Sequence, residues 1–164
     1  ADWAIVSEVE QNDDVLFKPL FSYEMVGICS KDHPLANKEV WQAEDFAEET
    51  WVTYPVPDDM LDLYRQVLKP KGINPPRRTT ELTIALIQLV ASRRGIATVP
   101  YWAALPYLEK GYVVARKITE EGLYSNLYAA IRKEDANLAY IEDFHQTVKA
   151  QSFSTLPGLS VLEL

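Results

Sequence analysis

The sequence predicts an α/β fold, and three observations predict it. Short apolar runs of strand length alternate with segments whose apolar residues recur at helical spacing through the middle of the chain. Glycine closes several of the helical segments, as in "PKG" (70–72), "RRG" (93–95) and "EKG" (109–111). The 164 residues are 48% hydrophobic, enough to bury a core as one domain or as two small lobes.

In chain order, "WAIVS" (3–7) reads as a short buried strand and "EVEQNDD" (8–14) as an acidic loop. "VLFKPLF" (15–21) and "YEMVGIC" (23–29) are extended, with Pro19 placing the first at an edge or bulge. "HPLA" (33–36) breaks the strand, "QAEDFAEE" (42–49) is a short helix at most, and "WVTYPV" (51–56) is a strand ending at proline. Over 59–69, Met60, Leu61, Tyr64, Val67 and Leu68 recur at helical spacing before "PKG" stops them. "PPRRTTEL" (75–82) contains a short strand. "TIALIQLVASRRG" (83–95) is the strongest helical pattern, apolar nearly all round except at Gln88, with two cations in the last turn and a glycine C-cap.

"IATVP" (96–100) is a buried strand and "YWAALPYLEKG" (101–111) a helix closed by Gly111. "YVVARKI" (112–118) and "LYSNLYAAIRK" (123–133) are strands. "NLAYIEDFHQTVKAQ" (137–151) is a final amphipathic helix with Leu138, Ile141, Phe144 and Val148 on one face, and the tail over 152–164 is irregular. The alternation implies a largely parallel sheet.

Composition excludes several classes. No apolar run approaches the roughly 20 residues of a membrane-spanning helix. Nothing at Ala1 resembles a signal peptide, and the missing initiator methionine suggests a fragment or a processed chain. A single cysteine excludes an internal disulfide and agrees with a reducing, cytoplasmic compartment. The net charge of −8 repels phosphate, so DNA binding by this chain alone is disfavoured.

Cys29 and His33 lie four residues apart, which raises a nucleophilic pair. A reactive cysteine needs a base in hydrogen-bond reach and a group that favours the thiolate, and no glycine-rich oxyanion loop follows here. One cysteine and two histidines make no zinc set, so the expectation is a structural cysteine, no metal and no cofactor. The six glycines form no phosphate cradle and there is no Gly-x-Ser-x-Gly elbow, so the chain is not expected to be an enzyme.

"TTELT" (79–83) sits where a strand meets the strongest helix. Thr79 or Thr80 capping that helix, with Glu81 complementing its dipole, would account for these residues. The functional reading gives a ligand carboxylate to Thr83 and the helix amides, and an ammonium group to Glu81. "TYPV" (53–56) and "VPYW" (99–102) bring Tyr54 and Tyr101 to strand ends, where open α/β sheets bind ligands, although aromatics there are often ordinary packing.

The order of "KPLFSYEMVGICSKDHPLA", "WVTYPV", "LIQLVASRRGIATVPYWA", "GYVVARKI" and "LYAAIRK" resembles the effector-binding domain of LysR-type transcriptional regulators over residues 1 to about 150. "TYPVPDDMLDLYR", "LIQLVASRRGIATVPYWA" and "LYSNLYAAIR" are similar to its methionine-pathway branch, which implies homocysteine as the small-molecule effector. The resemblance implies a periplasmic-binding-protein-like fold of two lobes with two crossover strands and the effector in the cleft between them. The first lobe would comprise 1–29 and 125–164 and the second 30–124, with the first β-α-β unit missing from this chain. The family's winged helix-turn-helix is also absent, so DNA would be reached only through the full-length protein. The family pairs these domains as homodimers, which form homotetramers.

On the residues themselves, the effector's carboxylate suits Thr83 and its ammonium Glu81. Its arm suits a wall of Tyr54, Val56, Ile84, Pro100 and Tyr101, and Ser7 is the contribution expected from the first lobe. A solute-binding receptor for an amino acid is the competing reading, since it would share the architecture.

Overall fold

The computed structural model of this chain describes residues 1–162. In order, the elements are β1 (Trp3–Val6), β2 (Val15–Cys29), β3 (Val40–Trp41), β4 (Trp51–Thr53), β5 (Arg77–Thr79), α1 (Thr83–Ala91), β6 (Ile96–Pro100), α2 (Tyr101–Glu109), β7 (Val114–Ile118), β8 (Leu123–Arg132), α3 (Ala139–Thr155) and β9 (Leu159–Ser160). The chain divides into two compact units. One joins Ala1–Tyr23 to the stretch beginning at Tyr124, and the other is Glu24–Leu123.

In the unit Glu24–Leu123, β2 lies between β6 and β7 and is antiparallel to both. β4 runs parallel to β5 and β6, and β3 parallel to β7. The sheet is therefore mixed rather than largely parallel. The strand–helix pattern specifies the parallel pairs, but β2 enters as a long connecting strand with no helix before it, so no crossover sets its direction. Alternation along the strands sorts side chains to two faces. Cys29, Trp51 and Ile96 share one core cluster with Trp41, Phe46, Leu63 and Leu68. Val26, Ile28, Val52, Ala97 and Val99 share another with Leu86, Ile87 and Val90 of α1 and Ala104 of α2.

Two local expectations need correction. The helix over 59–69 is not one α-helix: a 3₁₀ turn spans Asp58–Met60, a π-type segment Tyr64–Leu68 and a second 3₁₀ turn Lys69–Lys71, closed by Gly72 at φ 67°. Pro70 has no N–H to give, and its ring would crowd the carbonyl four residues back, which favours the widened winding. α1 ends at Ala91, earlier than the sequence pattern suggests. Arg93 (φ 59°) takes the left-handed position, with Arg94 N–H donating to Leu89 O at 2.9 Å. Gly95 serves close approach instead: a Cβ there would stand 2.4 Å from the Thr50 carbonyl oxygen, at a φ of +155°.

In the other unit, β1 pairs antiparallel with β8, from Trp3 opposite Ile131 to Val6 opposite Tyr128. The tail is more regular than expected: α3 continues to Thr155, and β9 pairs with Ser22 and Tyr23 of β2. The expectation for Glu163 and Leu164 lies outside the described residues. The buried face of α3 also differs. Ile141 and His145 are buried, whereas Leu138 and Phe144 are 40% and 50% exposed. Phe144 reaches the edge of Trp3 at 5.0 Å but stays half in water.

Candidate functional site

β4 stops at Thr53 because Pro55 and Pro57 follow closely and cannot donate to a ladder. Thr80 N–H donates to Thr53 O at 3.0 Å, which ties the chain leaving β5 to the end of β4. α1 then begins with Leu82 at the N-cap position and no side-chain cap. The threonine cap that the sequence allowed is not made: Thr79 is in β5 and Thr80 is engaged through its backbone.

Thr83 opens α1 and its hydroxyl lies 2.6 Å from that of Tyr54. The first-turn amides therefore have no side-chain acceptor of their own, and the helix dipole adds partial positive charge there. Glu81 is exposed in the bend just before, with no ion-pair partner among the described residues.

Tyr54 and Tyr101 are half-buried and pack against the same core cluster. Pro100 ends β6 opposite Met25 and occupies the N-cap position of α2. Val56 and Ile84 are 38% and 57% exposed, and Met60 and Leu82 are exposed as well. The segments leaving β4 and β5 thus present apolar side chains to water beside an uncapped helix start. Ser7 lies in the other unit, exposed in the bend after β1.

Sequence reasoning missed one feature here. A cavity of about 100 Å³ is lined by Met25, Trp51, Thr53, Tyr54, Met60, Leu61, Asp62, Leu63 and Thr98. The sequence marks "TYPV" (53–56) as a strand end suited to a ligand, but the cavity also needs Thr98, which meets Thr53 only across the β4–β6 register.

Cys29 and His33 form no reactive pair. Cys29 is fully buried, and burial pushes its thiol up to about 11, with Arg116 opposing and Glu49 reinforcing. His33 instead clamps the turn after β2: Nδ1 accepts from Leu35 N–H at 3.1 Å while Nε2 faces Glu49 Oε2 at 3.1 Å. Among the described residues there is no group of three or more His, Cys, Asp or Glu placed to hold a metal ion. Among the same residues, no helix is long and apolar enough to cross a membrane.

Strand ends thus open onto an uncapped helix start, on a mixed sheet packed with helices. Residues 1–152 match the LysR substrate binding domain, and the chain belongs to that family, one of transcriptional regulators and not an enzyme class. Its fold is that of the periplasmic-binding-protein-like effector domains. Over 164 residues it is 84% identical to the HTH-type transcriptional regulator MetR of Haemophilus influenzae, covering 100% of this chain and 53% of the relative. To MetR of Escherichia coli (strain K12) it is 35% identical over 162 residues, covering 99% of this chain and 51% of the relative.

The chain spans about half the length of these curated relatives. Among solved structures, the regulatory domain of MetR from N. meningitidis matches with a TM-score of 0.93 at 64% identity, covering 99% of this chain and 76% of that one. The effector binding domain of QuiR in complex with shikimate shares the fold, with a TM-score of 0.75 at 24% identity over 92% of this chain and 72% of that one.

Proposed function

We propose that this chain senses homocysteine for a regulator of methionine biosynthesis, and that occupancy changes the DNA-binding activity of the full-length protein. The observation that carries the reading is the uncapped start of α1, joined to the end of β4 by the Tyr54–Thr83 hydroxyl bond, in a chain 84% identical to a MetR. The ligand carboxylate meets the first-turn amides and Thr83, where backbone donors and dipole both favour an anion. Its ammonium meets the carboxylate of Glu81. Its short arm runs along Tyr54, Val56, Ile84, Pro100 and Tyr101, where sulfur–aromatic contact adds roughly 0.3–1.5 kcal/mol.

DNA contact belongs to another part of the full-length protein, since a net charge of −8 opposes phosphate binding here. The domains pair as homodimers or homotetramers in the cytoplasm, and the ligand shifts their arrangement by no more than its differential affinity for the two states. Calorimetry with homocysteine, methionine, cysteine and homoserine tests the effector. Selective binding of homocysteine supports the reading, and binding of none of the four withdraws the ligand.

A further inference from the structure

We propose that Arg77 is a positioning residue for the effector site, latching through Asp58 the loop that carries part of the wall beside Tyr54. The proposal rests on the amino-acid-effector reading above and names what holds that site in shape. Residues 55–60 are all exposed, between Thr53 and Leu61, which are 4% and 9% exposed. The loop nevertheless brings Met60 to the cavity of about 100 Å³, with Tyr54 and Leu61 lining it at the two ends of the loop. A stretch of chain with no buried side chain of its own thus forms part of a cavity wall.

Apolar burial does not fix such a loop, and its backbone bonds are local: Val56 N–H donates to Tyr54 O and Met60 N–H to Pro57 O, both at 2.9 Å. Pro55 and Pro57 restrict its backbone, so it is stiff between its ends. What joins it to the sheet is charge. Asp58 forms an ion pair with Arg77 of β5. The ties at Asp59, where Arg65 donates to the backbone oxygen at 2.8 Å and Lys69 meets Oδ1 at 3.4 Å, come from the segment that follows in sequence.

Arg77 is held as a fixed post. Its guanidinium packs on two rings, 5.1 Å from Trp51 and 5.0 Å from Tyr64, and donates to Asn74 Oδ1 at 3.1 Å. Trp51 is its neighbour across the β4–β5 register, so the sheet itself sets that stack. A guanidinium already held against aromatic faces loses little further freedom when it pairs with a carboxylate. Arg77 does not line the cavity, so it acts on a ligand only through the loop. Ordering one wall in advance raises affinity, because loop ordering then no longer opposes binding. Releasing the latch leaves the start of α1 intact and loosens only the wall around the ligand's arm.

The test combines hydrogen exchange on the ligand-free chain with calorimetry using homocysteine. The reporting amides are Met60 and Leu61, which donate to Pro57 O and Asp58 O at 2.9 and 3.0 Å. Asp58→Asn, at an exposed position, is expected to speed exchange at both about fivefold and leave the amides of β6 unchanged. Homocysteine affinity is expected to fall about fivefold in the same variant, with the thermal melt unmoved. Arg77→Met, which keeps a stem against the rings, should reproduce both effects. The double variant should be no worse than either single one, because each removes the same latch.

If exchange at Met60 and Leu61 stays at the wild-type rate in Asp58→Asn, the latch is overturned whatever binds. If exchange speeds up and homocysteine affinity is unchanged, the positioning role is overturned while the effector reading stands. Losses that multiply in the double variant overturn the pairing of Asp58 with Arg77 as their cause. If homocysteine fails to bind the wild-type chain, the effector reading falls, and the exchange rates alone decide for or against the latch.

Discussion

The two units differ in how they are held together. Both core clusters lie wholly within Glu24–Leu123, and Trp41, Phe46, Trp51, Leu68, Leu86 and Ile96 are all at or below 1% exposure there. The other unit buries a shorter set, including Leu20, Phe21, Ala129, Ile131 and Ile141. Local stability follows buried apolar contact. The candidate site residues other than Ser7 therefore stand on the more rigid unit, where fixed rotamers preorganise a ligand site.

A matched pair of substitutions breaks or sharpens that contrast. Phe46 is fully buried with its ring edge on Trp41 at 5.8 Å, and Phe46→Ala should cost about 3–5 kcal/mol. Phe144 makes a similar edge contact with Trp3 but is half exposed, so Phe144→Ala should cost about 1 kcal/mol or less. Urea denaturation monitored separately on amides of β6 and of α3 measures both. Equal losses would remove the distinction between the units.

The next effect in size is an alkaline one confined to the Glu24–Leu123 unit. Folding raises the Cys29 thiol from 9.0 to about 11, chiefly by burial. Between those values the folded chain binds more protons than the unfolded one, so stability falls as pH rises from about 9 and levels off near 11. The full loss is roughly 2–3 kcal/mol. Comparing wild type with Cys29→Ala isolates this slope from tyrosine and lysine titration, and parallel curves for the two proteins would contradict it.

The same contrast explains what could be seen in the sequence. Elements of the compact unit were legible because burial enforces their patterns: "IATVP" alternates onto two cores, and the apolar run of α1 cannot face water throughout. Where weaker forces decide, the pattern misled. Leu138 and Phe144 sit at helical spacing with Ile141, yet His145 takes the buried position on α3. The bend at 80–82 and Thr83 could be picked out because a strand–helix junction is visible as a break in periodicity. The cavity behind Tyr54 could not, since it depends on Thr53 and Thr98 being neighbours across a sheet, and no local pattern encodes a partner 45 residues away.

A third test addresses the junction itself. Thr83→Val keeps the size of the side chain and removes the hydroxyl that meets Tyr54 at 2.6 Å. We expect homocysteine affinity to fall about fivefold to tenfold and stability to change by about 1 kcal/mol or less. Calorimetry on the variant reads the first and a thermal melt the second. Unchanged affinity would take Thr83 out of the site, and a large loss of stability would make it a structural residue of the rigid unit.

The smallest effect returns to the less compact unit and has the opposite sign. His145 is 4% exposed and packs 6.4 Å from Trp3. Its imidazole is held below the usual histidine range by burial first and then by Lys18 of β2, with Lys149 adding to this and Glu142 opposing. The folded state thus disfavours the charged ring, and the unfolded chain takes up its proton first as pH falls below about 6.5. Stability is complete above that pH and is lost below it, down to the folded value. His145→Gln should flatten the acid limb for amides of α3 and leave those of β6 unchanged. If β6 followed α3, the two units would unfold as one, and the rigidity assigned to the site could not be credited to its own unit.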